Sequence, residues 1–239
     1  LEDKKEGDWL IYDINGDIKI KEVFKNGKIL AIGSSMIFTQ PNDIIWGTGC
    51  IGYGQIKHPP KKIYAVRGPL TRKELIKKGI ECPEIYGDPA LLFPEIYNPS
   101  RRIKYTYGLI PHYIDFTDPT SLSIIKDLES KGVKIINITS GVFHFIDELL
   151  QCKNILSSSL HGLIMSDAYN IPNARIKLSN KLVGGDFKFD DYHLSVNKPI
   201  GINEIHNFKN LKYSCNIEWD KDKLLEAGPW NDPECKFFS

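Results

Sequence analysis

Four polar side chains precede an apolar helix pattern in the segment SSSLHGLIMSDAY, which spans Ser157–Tyr169. The preceding NIL predicts a strand and the following LIMSDAY predicts a helix, so Ser157, Ser158, Ser159 and His161 lie at a strand-to-helix turn. A helix N-terminus presents unpaired N–H groups and a partial positive charge, which favour phosphate or carboxylate. The hydroxyls add donors, and His161 adds a group that titrates near neutral pH. This turn therefore predicts an anion-binding site.

A simpler interpretation of this turn is that Ser159 caps the helix with its hydroxyl. Capping needs one serine, however, and does not account for three serines and a histidine. We favour the anion site, and capping by Ser159 is kept as the alternative.

Other candidate residues also follow predicted strands. His112 comes at the end of the strand in GLIPHYID. Arg67, in AVRGPL, stands before a helix, where its guanidinium could bind an anion through two hydrogen bonds. Asp88, in YGDPALLF, is as well suited to capping a turn as to catalysis. His144 and His206 have no such placement, and we expect them to be structural.

The elements that would position these residues alternate along the chain. Apolar runs such as KILAIGSS and KKIYAV alternate with helical patterns such as LTRKELIKKG, and the alternation resumes after a Pro- and Arg-containing linker at Pro94–Arg102. This pattern predicts an α/β protein with two Rossmann-like domains, whose parallel sheets face each other across a cleft. We expect domains at residues 1–97 and 98–239, the second ending in a helical tail. Ligands of such sheets bind beyond the carboxyl ends of the strands.

Composition excludes several classes of protein. The 239 residues carry a net charge of +1, which gives no reason to expect a nucleic-acid partner. The five cysteines are scattered and form no C-x-x-C pair, so we expect no disulfide framework, no metal site and a reducing cytoplasm. The sequence has no apolar run long enough to span a membrane and no signal-peptide core at LEDKKEGDWL.

Four segments in this order, VRGPLTRKELIKKG, YGDPALLFPEIY, PHYID and SSSLHGLIMSDAYNIPNARI, resemble the polysaccharide pyruvyl transferases. The resemblance extends over roughly Gly7 to Tyr192. It implies a fold similar to GT-B glycosyltransferases. It also implies transfer of the enolpyruvyl unit of phosphoenolpyruvate onto a sugar of an exopolysaccharide, a capsule or a lipid-linked precursor. The product would be a cyclic pyruvate ketal, and no cofactor besides the co-substrate would be needed.

The resemblance also implies roles for individual residues. His161 would bind the donor and act as the acid, with His112 as the second imidazole on the donor side, in the C-terminal domain. Asp8 or Asp88 would be the base on the acceptor side, in the N-terminal domain. Lys188, in the similar segment GGDFKFDDY, joins Arg67 and the three serines in donor binding.

The sequence departs from the family pattern at two places. Many members have an Arg two residues before the motif His, where this chain has Ser159, so Arg67, Arg175 or Lys188 would have to supply the positive charge. The early N-x-G-D motif persists only as Gly7-Asp8, and the N-terminal domain is expected to lack its first strand.

The predicted partners are phosphoenolpyruvate and a glycan or lipid-linked oligosaccharide acceptor. We expect a cytoplasmic protein with at most peripheral contact at the inner membrane face. One alternative is a sugar-nucleotide-dependent GT-B glycosyltransferase, because GGDFKFDDY offers Asp186, Asp190 and Asp191 to hold a ribose. A second alternative is a non-catalytic glycan-binding module.

If the turn binds the donor, His161→Ala should weaken donor binding by about 10- to 150-fold, the equivalent of one charge-assisted hydrogen bond. Loss of a proton-transfer role would instead lower turnover by roughly 100-fold or more. His161→Gln separates the two effects because it keeps a donor but does not titrate. Donor affinity by calorimetry and turnover are compared with those of His144→Ala. Wild-type values for both in His161→Ala would contradict the anion site.

Overall fold

The computed structural model describes residues 28–232 and the backbone of two earlier strands, Asp8–Tyr12 and Ile18–Glu22. Contacts divide the chain into two compact units. Unit 1 contains the described residues of Leu1–Pro89, Asp186–Pro199 and Glu218–Ser239. Unit 2 contains Ala90–Gly185 and Ile200–Ile217.

Strands and α-helices alternate only after the first five strands, which no α-helix interrupts in the described residues, so the predicted alternation is confirmed for the later part of the chain. The strands are β1 Asp8–Tyr12, β2 Ile18–Glu22, β3 Ile29–Leu30, β4 Ile44–Trp46, β5 Lys62–Ala65, β6 Tyr105–Ile110, β7 Lys134–Ile135, β8 Cys152–Ser157 and β9 Asn173–Arg175. The α-helices are α1 Pro69–Lys77, α2 Pro119–Ser130, α3 Val142–Leu149, α4 Leu160–Ala168, α5 Phe187–Ser195 and α6 Lys221–Glu226.

Unit 1 is built on a parallel sheet in the order β3-β4-β5, and a further parallel bridge joins Val66 to Tyr86. Backbone strands β1 and β2 form an antiparallel pair. Strands β3 and β4 are wholly apolar, which is typical of a parallel sheet with both faces covered. The core of unit 1 consists of Leu30, Met36, Ile45, Cys50, Ile56, Val66, Leu75, Cys82 and Phe187.

Unit 2 is built on a second parallel sheet in the order β7-β6-β8-β9. The chain passes from β6 to β7 on one side and then returns to place β8 on the other side of β6. The core of this unit consists of Leu109, Ile125, Leu128, Val133, Leu156, Ala174, Ile176, Leu178 and Phe208.

The predicted α/β class with parallel sheets is confirmed. The Rossmann-like assignment and the cleft stay predictions. The predicted domain boundaries differ from the division into units, because Asp186–Pro199 and Glu218–Ser239 belong with the N-terminal unit rather than with residues 98–239. The predicted helix in the tail is present as α6.

A buried ion pair connects α5 to the start of α1 in unit 1. Asp191 of α5 accepts hydrogen bonds from Arg67 Nε at 3.1 Å and from the Thr71 amide and hydroxyl at 2.9 and 2.7 Å. Arg67 and Asp191 are both 0% exposed. A Cβ at Gly68 would clash with the backbone of Asp191, so the close approach of α5 to the start of α1 requires a glycine there.

Breaking this ion pair should destabilise the protein strongly. Asp191→Asn leaves the Arg67 guanidinium buried without its counter-charge, which typically costs about 3–5 kcal/mol. The exposed pair of Lys131 and Asp127 provides the control, because Asp127→Asn should cost less than about 1 kcal/mol. Urea denaturation gives the free energy of unfolding of both variants. Equal losses would contradict the structural role of Arg67.

Candidate functional site

The carboxyl ends of β6 and β8 meet where the strand order of unit 2 reverses. Ile110 at the end of β6 is the register partner of Ser157 at the end of β8, and the Ser158 amide donates to the Ile110 carbonyl at 3.2 Å. Ligands of open parallel sheets bind at such a reversal. His112 follows β6, and Ser158, Ser159 and His161 follow β8, so the structure brings these predicted residues to the same sheet edge.

The Ser157 hydroxyl bonds backbone groups at the end of β8. Its buried hydroxyl accepts a hydrogen bond from the Ser159 amide at 3.0 Å and lies 2.9 Å from the carbonyl oxygens of both Ile110 and Ser159. A Cβ at Gly162 would clash with this hydroxyl and lie 2.9 Å from Ile110 Cγ2. Gly162 thus allows the first turn of α4 to rest directly on the ends of β6 and β8. The single hydroxyl proton of Ser157 is therefore donated to one of these two backbone carbonyl oxygens.

Ser158 connects this turn to the loop after β6. Its buried hydroxyl donates to Asp115 Oδ2 at 2.7 Å and accepts from the His112 amide at 3.0 Å. A hydroxyl has one proton. While Asp115 accepts that proton, Ser158 has none to donate to an anion.

Ser159 occupies the N-cap position of α4 with an extended backbone, but its side chain makes no capping hydrogen bond. The alternative interpretation, capping by the Ser159 hydroxyl, is therefore wrong for this structure. The first N–H groups of any α-helix have no acceptor within the helix. His161 is the second helical residue and is 8% exposed. The start of α4 thus combines backbone donors, one hydroxyl and one imidazole.

His112 is half-buried and begins the 3₁₀ helix Tyr113–Thr117. Its Nδ1 accepts a hydrogen bond from the Ile114 amide at 3.4 Å, and its ring stacks on Tyr113 at a centroid distance of 4.4 Å. In the neutral imidazole this places the proton on Nε2. His112 therefore combines a capping role with a place at the predicted site.

Arg67 lies in unit 1, where its guanidinium has internal acceptors for all of its N–H groups. Besides Asp191, these are the Ser34 hydroxyl at 2.7 Å and the carbonyl oxygens of Gly33 and Cys50 at 3.3 and 2.6 Å. The anion that Arg67 contacts in this structure is Asp191. Its predicted donor contact would require exchange of these bonds and stays a prediction.

Three further predicted residues also lie in unit 1, although Lys188 was expected in the C-terminal domain. Asp88 is fully buried, and its Oδ2 accepts from the Gly33 amide at 3.4 Å. Lys188 is buried in α5, with its ammonium 5.5 Å from the centre of the Phe189 ring. Asp8 begins β1, whose side chains lie outside the described residues. Their predicted roles stay predictions.

Two acidic residues that the sequence analysis did not select hold the loop after β6. Asp115 is 0% exposed and also accepts from the Ser179 hydroxyl at 3.1 Å. Asp118 caps α2 through the Ser121 amide at 2.9 Å. A hydrogen bond from Lys181, together with those from Ser121, lowers the pKa of Asp118 to about 2. The spacing of PHYID, with an acid three residues after a potential cap, was the available signal for Asp115.

Buried thiols provide no nucleophile. Burial raises the pKa of Cys50, and likewise that of Cys152, to about 12, so both stay protonated near neutral pH. Within residues 28–232, no group of three His, Cys, Asp or Glu side chains is arranged to hold a metal ion. No helix in the described part of the chain is long and apolar enough to cross a membrane.

Comparison with known proteins adds a family-level match. The model of the polysaccharide pyruvyl transferase family matches residues 5–180. An uncharacterised protein of Acanthamoeba polyphaga mimivirus is 30% identical over 166 residues, covering 67% of this chain and 57% of the relative. The succinoglycan biosynthesis protein ExoV of Rhizobium meliloti is 25% identical over 183 residues, covering 72% of this chain and 54% of the relative. The chain thus spans just over half the length of these relatives. No solved structure matches significantly.

Gly162→Ala tests the close packing of α4 on the sheet edge. Alanine favours a helix by up to about 1 kcal/mol over glycine, but overpacking costs about 1–3 kcal/mol. The clash with the Ser157 hydroxyl and Ile110 should dominate, and the free energy of unfolding should fall. Ser157→Ala in the same chain removes one of the clashing atoms and should recover part of the loss. A stabilised Gly162→Ala variant would contradict this packing.

Proposed function

Because the chain belongs to the polysaccharide pyruvyl transferase family, we propose that it transfers the enolpyruvyl unit of phosphoenolpyruvate onto two hydroxyls of one sugar. The product is a cyclic pyruvate ketal on a surface polysaccharide or its lipid-linked precursor. The acceptor is a glycan, and contact with a membrane is at most peripheral, at the cytoplasmic face.

The observation that carries this proposal is the start of α4 at the reversal point of the unit 2 sheet. Its N-cap residue makes no side-chain capping bond, and it lies at the sheet edge shared with the loop of His112. Phosphoenolpyruvate has both a phosphate and a carboxylate, and a helix N-terminus favours either anion. We propose that three kinds of group at the start of α4 bind phosphoenolpyruvate: the backbone N–H groups, the Ser159 hydroxyl and the His161 imidazole. Ser157 and Ser158 support them by holding the turn.

The proposed chemistry begins with proton transfer to the methylene carbon of the donor, which makes the adjacent carbon electrophilic. A sugar hydroxyl adds to that carbon and loses its proton. Phosphate then leaves with its bonding electrons, and the second hydroxyl adds to the same carbon and loses its proton to close the ketal. One phosphate is released for each ketal formed. His161 is the proposed acid and His112 the second imidazole.

Positive charge for the donor is proposed to come from Arg175 rather than Arg67. Arg175 ends β9, is buried, and is the register partner of Ser157 in the same sheet. It therefore belongs to the sheet edge that includes the start of α4. Arg67 and Lys188 belong to unit 1.

The sugar-nucleotide alternative loses part of its support. It depended on an acidic residue of GGDFKFDDY holding a ribose, and Asp191 is instead buried in its ion pair with Arg67. Asp186 and Asp190 are the remaining acids of that segment.

Incubation of the chain with phosphoenolpyruvate and a panel of galactosides, mannosides and N-acetylhexosamines tests the proposal. Mass spectrometry should detect an acceptor that has gained pyruvate less one water, together with an equal amount of released phosphate. Nucleotide sugars serve as competing donors in parallel reactions. Glycosyl transfer from a nucleotide sugar, with phosphoenolpyruvate inert, would favour the glycosyltransferase alternative.

A further inference from the structure

We propose that Asp115 is a positioning residue that fixes the loop of His112 against the turn preceding α4. The effect of Asp115 on catalysis rests on the proposed function. The interaction itself belongs entirely to unit 2 and can be measured without any substrate.

The carboxylate of Asp115 joins three loops at the sheet edge. Oδ2 accepts the His112 amide at 3.0 Å from the loop after β6 and the Ser158 hydroxyl at 2.7 Å from the turn after β8. Oδ1 accepts the Ser179 hydroxyl at 3.1 Å from the segment after β9. All of this takes place at a side chain that is 0% exposed.

Local capping does not account for this arrangement. In the capping box of the 3₁₀ helix, the only bond that the Asp115 carboxylate contributes is the one to the His112 amide. The bonds to Ser158 and Ser179 link residues 43 and 64 positions apart and add nothing to that cap. Burying a carboxylate costs free energy unless its oxygens accept hydrogen bonds. The hydroxyls of Ser158 and Ser179 therefore offset part of the cost of burying Asp115.

These contacts determine how the site is oriented. Ser158 donates to Asp115 and accepts from the His112 amide, so three residues form a closed set of hydrogen bonds. The Ser159 amide, next in the chain, is held by Ser157 at the start of α4. The backbone of His112 is therefore fixed relative to the start of α4. A displacement of about 1 Å at a catalytic group can lower the rate by roughly 100-fold.

Asp115→Ala, Asp115→Asn and Asp118→Ala, each in the full 239-residue chain, test the inference. Asp118 is the matched control because it caps α2 in the same loop and bonds Lys181 without touching Ser158. We expect Asp115→Ala to weaken phosphoenolpyruvate binding and lower kcat by roughly 10- to 100-fold. Asp118→Ala should lower the melting temperature while leaving phosphoenolpyruvate binding and kcat near their wild-type values. Asp115→Asn should restore most of the loss, since the amide oxygen can accept from His112 and Ser158 while the amide nitrogen donates to Ser179.

Equal donor affinity and kcat in Asp115→Ala and Asp118→Ala would overturn the inference. So would a failure of Asp115→Asn to recover more than Asp115→Ala. If Asp115→Ala does not fold, Ser158→Ala decides, because it removes one bond to the intact carboxylate. A loss of phosphoenolpyruvate affinity and kcat in Ser158→Ala would support the positioning role, and wild-type values of both would reject it.

Failure of the proposed function is distinguished by measurements without substrate. If wild type neither binds nor uses phosphoenolpyruvate, the amide signals and hydrogen-exchange rates of His112 and Ser159 still report the interaction. Asp115→Ala should shift both amides and speed their exchange, and Asp118→Ala should not. Unchanged signals in Asp115→Ala would reject the positioning role whatever the enzyme's substrate is.

Discussion

The buried carboxylate of Asp115 is the interaction on which the unit 2 site depends. A parallel sheet brings its strand ends to one edge, but the loops beyond that edge have no regular inter-strand hydrogen bonds to align them. Hydrogen bonds to one carboxylate align three of these loops, and those bonds are strong because the acceptor is charged and shielded from water. The strand order brings His112 and the start of α4 together, and Asp115 sets their spacing.

Unit 1 uses a buried carboxylate in a different way. Asp191 is paired with a full positive charge on Arg67, whereas Asp115 is held by one amide and two hydroxyls. The pair in unit 1 fixes α5, which comes late in the chain, onto the start of α1. Removing either partner leaves an uncompensated buried charge, so this contact should contribute strongly to the stability of unit 1. Arg67 therefore has an organising role that its place after a strand did not distinguish from ligand binding.

Much of the fold followed from the sequence, because short apolar runs and helical spacing are local signals. The turn SSSLHG was correctly placed between β8 and α4 for that reason. The placement of α5 in unit 1 was not predictable in this way, since its contacts there include the pair of Arg67 and Asp191, which are 124 positions apart. The same holds within the turn. Three adjacent serines look equivalent in the sequence, yet Ser157 seals a strand, Ser158 bonds Asp115, and Ser159 makes no side-chain cap.

The charge balance at the unit 2 edge constrains how an anionic donor could bind there. The negative charge of Asp115 lies at the same edge and opposes a second anion by an amount that grows as water is excluded. Because the turn preceding α4 contains no arginine or lysine, the opposing positive charge has to come in part from elsewhere. The dipole of α4 contributes only about half an elementary charge. Among the proposed cations Arg175 belongs to the same sheet as the site, so it is the proposed second source of positive charge for the donor.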